Sequence, residues 1–252
     1  HKLHNLKPTS FVGFDMVGLI DINGNLLTDL HVDNNIEYNL LLVYDKDKTA
    51  ESIDLVKTLS FLNNQHADVY NEIIIDNNYN IRKEQIENKY VIDIGANIGV
   101  FSLYVGMLGA KKVIAVEPIS DTFYQLCKNI NHVKSNTILP FKNVVSDQSN
   151  KMVKVSVKPN NGHNSLYNID GQFEEVSTVT LKDLIECIDD NDIVLKIDCE
   201  GSEYDIILSS TDYEMSRVGR IILEIHADLH PKYKGYQILH DKLESFNFKL
   251  ED

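Results

Sequence analysis

From Tyr90 onward, short apolar runs alternate with stretches of helical pattern, and this alternation restricts the fold more than any other feature of the chain. Strands that alternate with helices form a parallel sheet with helices on both faces. Buried strands are predicted at 91–94, 113–116, a segment ending at 143–145, 193–197 and 221–225, and helices near 99–108, 121–131, 181–188, 203–209 and 236–245. The sequence therefore predicts a doubly wound α/β fold, in which ligands bind beyond the carboxyl ends of the strands.

Two parts of the chain depart from this alternation. Residues 152–157 alternate apolar and polar side chains and precede a loop rich in Asn and Gly at 159–171, which predicts an antiparallel insertion over the sheet. The N-terminal part predicts a hairpin across Asn23-Gly24, a helix and a short strand, at 19–27, 50–62 and 70–75. We expect residues 1–85 to form a cap on a main domain of residues 86–252.

Charge and composition narrow the function classes. The 252-residue chain carries a net charge of −14, which argues against a nucleic acid partner because such partners select basic surfaces. No apolar run is long enough to span a membrane, and no secretory signal segment is recognisable. Three scattered cysteines form neither a metal motif nor a disulfide framework, which favours the cytoplasm. The first residue is His1, so we expect the sequence to be a fragment.

The first predicted strand of the main domain leads into a glycine-rich loop, Gly95-Ala96-Asn97-Ile98-Gly99. Glycine allows a tight turn and lets a ligand approach the backbone closely. Glu117 follows the next strand, where a carboxylate can accept hydrogen bonds from both hydroxyls of a ribose. The loop and the acid together indicate a ligand that contains adenosine.

Asn97 bears on which adenosine ligand is bound. A dinucleotide fingerprint has glycine at this position so that the pyrophosphate can approach, and a side chain there favours S-adenosylmethionine over NAD. Asp93 and Asn97 can meet the amino-acid end of that cofactor. Asp147 either bonds the adenine amino group or is a simple turn residue. Ile119, after Pro118, either packs on the adenine face or belongs to the core.

With these residues, the chain resembles the FkbM family of S-adenosylmethionine-dependent methyltransferases over roughly residues 70–226. The resemblance rests on four blocks, 91–99, 115–118, 180–184 and 196–203, of which Lys-Ile-Asp-Cys-Glu-Gly-Ser-Glu at 196–203 is the most specific. It implies a class I methyltransferase (Rossmann-like) fold and O-methylation of a small molecule or sugar. It also implies that Gly95, Glu117 and Asp198 line the cofactor side.

The C-terminus departs from the family pattern. That pattern ends with a helix and two further strands, whereas residues 246–252 suffice for one strand. We expect either a truncated C-terminus or a sheet edge completed differently, for example by a partner chain in a dimer.

Candidate catalytic residues cluster at the ends of the fourth and fifth predicted strands. Asp198 can hold the methionine amino group or the acceptor hydroxyl, whereas Glu200 and Glu203 fit a helix N-terminus, which favours acidic residues. Glu224 and His226 are two residues apart on a predicted strand and so project from one face, as a catalytic base and its partner or as a buried pair. His163, in the loop after the insertion, is either a second base or a solvated residue.

Several alternatives stay open. Asp198, Glu224 and His226 can together hold a divalent cation, although we do not expect one. The chain can also be a methyltransferase for a macromolecule, a nonenzymatic cofactor-binding module or an NAD-dependent oxidoreductase. A small-molecule O-methyltransferase is the function that the residues favour most.

Overall fold

The computed structural model describes residues 19–20, 41–42, 69–157, 171–227 and 229–251. The chain divides into two compact units, His1–Asn80 and Ile81–Asp252. The second unit begins five residues before the predicted main domain. That residues 1–85 form a cap stays a prediction.

In the first unit, strand β1 (Leu19–Ile20) pairs antiparallel with β2 (Leu41–Leu42). The predicted turn at Asn23-Gly24, its return strand and the helix at 50–62 fall outside the described residues. The strand predicted at 70–75 is wrong, because Asn71–Ile75 is a π-helix in which the amide of Asp76 donates to the carbonyl of Asn71 (2.8 Å). Periodicity alone cannot distinguish a strand from a helix in so short an apolar run.

The second unit is built on a five-stranded sheet in which all strands are parallel. These strands are β3 (Tyr90–Ile94), β4 (Lys112–Val116), β5 (Ile138–Phe141), β9 (Ile193–Ile197) and β10 (Val218–Leu223). Their order across the sheet is β10-β9-β3-β4-β5. The order reverses between β3 and β9, so this is a doubly wound sheet with its switch point between those two strands. The predicted fold class is confirmed.

Seven α-helices lie among the described residues of this unit. They are α1 (Lys83–Ile86), α2 (Val100–Met107), α3 (Ser120–His132), α4 (Leu181–Glu186), α5 (Glu203–Ser209), α6 (Asp212–Met215) and α7 (Gln237–Ser245). The five predicted helices are all present, and the two short helices α1 and α6 were not predicted. None of the helices in the described ranges is long and apolar enough to cross a bilayer.

The core explains why consecutive residues of the central strands are apolar. Ile92, Ile94 and Ile197 pack in one buried cluster with Leu184 of α4 and Tyr204 of α5, and all five are at most 2% exposed. Successive strand residues point to opposite faces, so a strand covered on both faces reads as a continuous apolar run. This is why the central strands could be recognised from the sequence.

The predicted third strand is wrong in position. The sheet strand is Ile138–Phe141, whereas Val144–Val145 forms the short strand β6, which pairs parallel with β8 (Phe173–Val179) outside the central sheet. Pro140 lacks an N–H donor, and it is tolerated because β5 is an edge strand. The strand was misplaced because Pro140 is unusual within a strand and because Val144–Val145 is an apolar run close by.

The predicted insertion is confirmed at its first strand, β7 (Met152–Ser156), which pairs antiparallel with β8. The order of this small sheet is β6-β8-β7. Its second strand, β8, was not predicted, and most of the loop at 159–171 lies outside the described residues.

The predicted fifth strand, 221–225, is shifted, since β10 runs from Val218 to Leu223. Glu224 and His226 therefore follow the strand end and do not project from its face. The C-terminal residues 246–251, although long enough for one strand, form none. Glu251 there pairs instead with Arg82 (2.7 Å) and Arg220 (2.6 Å).

Candidate functional site

The glycine loop and Glu117 meet at the carboxyl ends of β3 and β4. The amide of Asn97 donates to Glu117 Oε2 and the amide of Ile119 donates to Oε1, both at 3.0 Å. The hydroxyl of Thr122 donates to Oε1 at 2.7 Å. Burial raises the pKa of Glu117, although these three hydrogen bonds oppose the shift. The two features from which the adenosine ligand was inferred are thus in contact.

The glycines of the loop have structural reasons of their own. Gly95 has φ +77°, and a Cβ on it would lie 1.8 Å from the carbonyl oxygen of Asp198. Gly99 has φ +93°, and a Cβ there would lie 2.5 Å from Leu126 Cδ1. Asn97 also has a left-handed backbone, and its side-chain oxygen accepts from the amide of Ile98 (2.8 Å). Chain packing alone therefore requires Gly95, whether or not a ligand approaches.

A buried lysine connects this loop with the residues after β9. Lys196 Nζ lies 3.2 Å from Asp93 Oδ1 and 3.3 Å from Asp198 Oδ2, and it donates to the carbonyl of Gly95 at 2.9 Å. Its side chain is 3% exposed, and Ser102 donates to the other oxygen of Asp93 (2.6 Å). Burial lowers the pKa of Lys196, but Asp93 and Asp198 outweigh that effect and raise it. Lys196 therefore stays charged and holds two loops at the switch point.

Lys196 was not singled out from the sequence. The available signal was one cation within the otherwise apolar strand Ile193–Ile197, since a lysine is almost never buried unless it is paired. Asp93 was expected to meet the cofactor's amino-acid end. It is fully buried and bonded to Lys196 and Ser102, and its contact with a ligand stays a prediction.

The predicted catalytic residues Asp198, Glu224 and His226 come together beyond β9 and β10. His226 Nε2 lies 3.9 Å from Asp198 Oδ1, 3.7 Å from Glu224 Oε1 and 3.6 Å from Glu200 Oε2. His226 Nδ1 lies 2.7 Å from Glu203 Oε1. We call these five residues the carboxylate–histidine cluster. The sequence placed Asp198, Glu224 and His226 at this edge. It wrongly assumed that Glu224 and His226 project from one face of a strand.

The cluster changes the proton affinity of its histidine. Burial lowers the pKa of His226, but the hydrogen bond with Glu203 and the charges of Glu200, Glu203 and Asp198 together raise it to about 9. At neutral pH the ring is therefore the doubly protonated imidazolium. A role as base would require a change in its surroundings.

Glu203 has more contacts than its expected place at a helix N-terminus suggests. Its side chain has no exposed surface, and Oε1 accepts from the amide of Cys199 (3.2 Å) as well as contacting His226. Desolvation and nearby carboxylates raise the pKa of the Cys199 thiol well above its usual value. Cys199 is accordingly a poor nucleophile.

A small pocket opens beside the glycine loop. Its lining includes Gly95, Pro118, Val145 and Cys199. Elements β3, β4 and β6 and the loop after β9 thus all contribute to it.

The remaining predicted cofactor residues lie in different surroundings. Ile119 is 3% exposed in a small apolar cluster with Val144, Val155 and Val176, as the core alternative proposed. Ala96 is buried, and Asp147 is exposed and does not line the pocket. His163 lies outside the described residues.

Comparison with solved structures gives low similarity. An FkbM methyltransferase from Methylobacillus flagellatus KT is 15% identical (TM-score 0.44), and the match covers 77% of this chain and 47% of the other. A ribosomal protein L11 methylase from Lactobacillus delbrueckii subsp. bulgaricus is 15% identical (TM-score 0.38), covering 76% and 73%. This chain thus spans about half the length of the FkbM structure. No curated protein matches the sequence.

A family model matches most of the second unit. The model of the methyltransferase FkbM domain matches residues 93–250, which include the glycine loop, Glu117, Lys196 and the carboxylate–histidine cluster. The chain therefore belongs to the FkbM methyltransferase domain family.

Proposed function

We propose that this protein binds S-adenosylmethionine and transfers its methyl group to a hydroxyl of a small molecule or sugar. The observation that carries the proposal is the contact of Lys196 with both the glycine loop, at Gly95, and the carboxylate–histidine cluster, at Asp198. Lys196 thereby joins the glycine loop, where the cofactor would bind, to the carboxylates that could accept a proton. Family membership supports the methyltransferase class.

We assign the cofactor to the sheet edge where the glycine loop meets Glu117, beside the pocket that Gly95 and Pro118 line. Glu117 Oε2 receives one protein donor, so it retains capacity for a ribose hydroxyl. The ligand has no phosphate, so the side chain at Asn97 is acceptable there. The methionine end would then extend toward Asp198, at the switch point of the sheet.

Methyl transfer is an in-line displacement at the carbon attached to the sulfonium. A lone pair of the acceptor oxygen forms the new C–O bond while the C–S bond breaks. The electron pair of the C–S bond stays on sulfur, which gives S-adenosylhomocysteine. The hydroxyl proton passes to a base within hydrogen-bond reach. Asp198 is our first candidate because it lies against both Lys196 and His226, and Glu224 is the second.

Two measurements test this proposal. Calorimetry with S-adenosylhomocysteine should show one site per chain, and radiolabelled S-adenosylmethionine should transfer its methyl group to a member of a panel of sugars and small hydroxylated molecules. Failure to bind S-adenosylhomocysteine would refute the cofactor assignment. Binding without any methylated product would instead favour a nonenzymatic module, and NAD binding would favour an oxidoreductase.

The choice of acceptor class has its own control. The same labelled reaction with total protein and total RNA as acceptors tests a macromolecular substrate. Asp198→Asn should lower turnover with the small acceptor by more than it weakens S-adenosylhomocysteine binding, since a base acts mainly in the transition state.

A further inference from the structure

We propose that Asp198, Glu224 and His226 form a binding site for one divalent cation, which the sequence did not lead us to expect. One ligand atom from each of the three side chains lies within 4.8 Å of the other two. Two of the side chains are carboxylates from different loops, and the third is an imidazole. The site lies at the carboxyl ends of β9 and β10.

The orientation of the imidazole supports this assignment. Glu203 Oε1 lies 2.7 Å from His226 Nδ1, so the proton of Nδ1 is held by Glu203 and Nε2 faces Asp198 and Glu224. Metal-binding histidines commonly donate their second ring N–H to a carboxylate, which fixes the tautomer and the ring orientation. The arrangement leaves the coordinating nitrogen aimed at the other two ligands.

The distances support it as well. The separations of 3.9 Å and 3.7 Å from Nε2 to Asp198 and Glu224 exceed hydrogen-bond length. Two atoms that each lie about 2.1–2.4 Å from a shared cation are separated by roughly this amount. Little movement is needed to bring the three atoms around one ion.

A second, independent observation comes from Glu203. Its side chain has no exposed surface, and Oε2 is buried without a hydrogen-bond partner among the described residues. A buried carboxylate oxygen is costly unless positive charge lies near it. The cluster places four carboxylates around one imidazolium, and a divalent cation that displaces the Nε2 proton would add one unit of positive charge among them.

The ligand set indicates the kind of cation. Carboxylate oxygens suit Mg²⁺, Ca²⁺ and Mn²⁺, whereas imidazole favours transition metals. Mn²⁺ accepts both, so we choose it as the probe. If the function proposed above also holds, a cation here would lower the pKa of a bound acceptor hydroxyl.

The experiment measures Mn²⁺ binding to the full chain without cofactor, by loss of the electron paramagnetic resonance signal of free Mn²⁺ and by calorimetry. We expect one specific site per chain. Glu224→Gln should weaken binding by at least about tenfold, because it removes a ligand from a partly exposed position, where little stability is at risk. Glu203→Gln should weaken it by about 10- to 100-fold through the orientation of His226.

The chain offers a matched control. His240 Nε2 lies 3.5 Å from Glu244 Oε1 on the surface of α7, a histidine–glutamate pair that is not part of the three-ligand group. Glu244→Gln removes the same charge as Glu224→Gln and should leave Mn²⁺ binding unchanged. Circular dichroism and urea denaturation establish that each variant is folded.

Absence of Mn²⁺ binding by the wild-type protein would overturn the proposal. So would equal loss in Glu224→Gln and Glu244→Gln, which would mean diffuse attraction to a chain of net charge −14. These outcomes are separate from the proposed function, because they are measured without S-adenosylmethionine. A protein that binds Mn²⁺ but not S-adenosylhomocysteine would retain this site and refute the cofactor assignment.

Discussion

Glu117 and the carboxylate–histidine cluster lie at the same edge of one sheet, but their charges are balanced in different ways. Glu117 receives hydrogen bonds from two backbone amides and one hydroxyl. The cluster places Asp198, Glu200 and Glu224 at 3.6–3.9 Å from one imidazole nitrogen, beyond hydrogen-bond length. The carboxylate of Glu117 is thus hydrogen-bonded by protein groups, whereas the carboxylates of the cluster share the positive charge of His226.

The difference separates two demands on a binding site. A carboxylate held by backbone donors is fixed in place and gives a rigid contact for a ligand. Like charges brought together reduce stability, and natural proteins accept that cost where chemistry or ligand binding requires it. We therefore expect changes in the first region to weaken the fold or cofactor affinity, and changes in the second to affect function with little loss of stability.

The largest expected effect comes from Gly95→Ala, which disturbs both regions at once. The new methyl group would lie 1.8 Å from the backbone oxygen of Asp198, and the backbone has φ +77°. We expect a loss of free energy of unfolding on the order of 4 kcal/mol or more, measured by urea denaturation. Gly171→Ala is the control, because Gly171 has φ +95° with open space around it, and should cost about 1 kcal/mol. Similar losses in both variants would contradict the close packing at Gly95.

Lys196→Met tests the connection between the regions. It leaves Asp93 buried without its cation, and breaking a buried ion pair from one side costs about 3–5 kcal/mol. The double variant with Asp93→Asn should regain part of that loss, since the uncompensated charge is removed. Urea denaturation of both variants provides the measurement, and a double variant no more stable than Lys196→Met would argue against the pairing.

Glu117→Gln tests the cofactor contact. We expect S-adenosylhomocysteine affinity to fall by about 10- to 100-fold, because hydrogen bonds to a charged acceptor are replaced by weaker ones. The ionised carboxylate is the stronger acceptor for a ribose hydroxyl, so wild-type affinity should decrease as the pH falls through the raised pKa of Glu117 and be retained above it. Calorimetry over a pH series checks both points. An equally steep pH dependence in Glu117→Gln would place the titrating group elsewhere.

The smallest expected effect belongs to the cluster. Glu224→Gln removes one of four carboxylates around His226, and Glu224 is 41% exposed, so solvent screening reduces any change. Without added metal, we expect the free energy of unfolding to change by about 0.5 kcal/mol or less, because the loss of attraction to His226 opposes the relief of repulsion with Asp198. A loss of more than 1 kcal/mol in urea denaturation would mean that the cluster stabilises the fold, and the contrast with Glu117 would fail.

Local patterns predicted the elements that are buried on both faces or clearly amphipathic. Strands β3, β4 and β9 read as apolar runs, and α5 was predicted at its observed bounds, 203–209. Prediction failed where the local signal was ambiguous. Pro140 obscured the edge strand β5, and a short isoleucine run became a π-helix at Asn71–Ile75.

Candidate residues for the site followed from the same reasoning, because the carboxyl ends of parallel strands meet at one edge. This placed Glu117 with the glycine loop and Asp198 with His226. Distance and burial could not be inferred in this way. Lys196 was overlooked because its role depends on Asp93 and Asp198, which the sheet brings beside it. The contact of Glu203 with His226 was not foreseen because it joins the start of α5 to the segment after β10.

The sequence by itself determined the strand and helix alternation, the glycine loop, the acid after β4 and the family, since each depends on residues near one another in the chain. Tertiary structure decided how those residues are used. The backbone of Asp198 passes so close to Gly95 that only glycine fits there, and Lys196 joins the glycine loop to the segment after β9. The fold also brings four carboxylates around one histidine. The physical reason is that burial and charge proximity depend on which strands are neighbours in the sheet, and that order becomes fixed only when the chain folds.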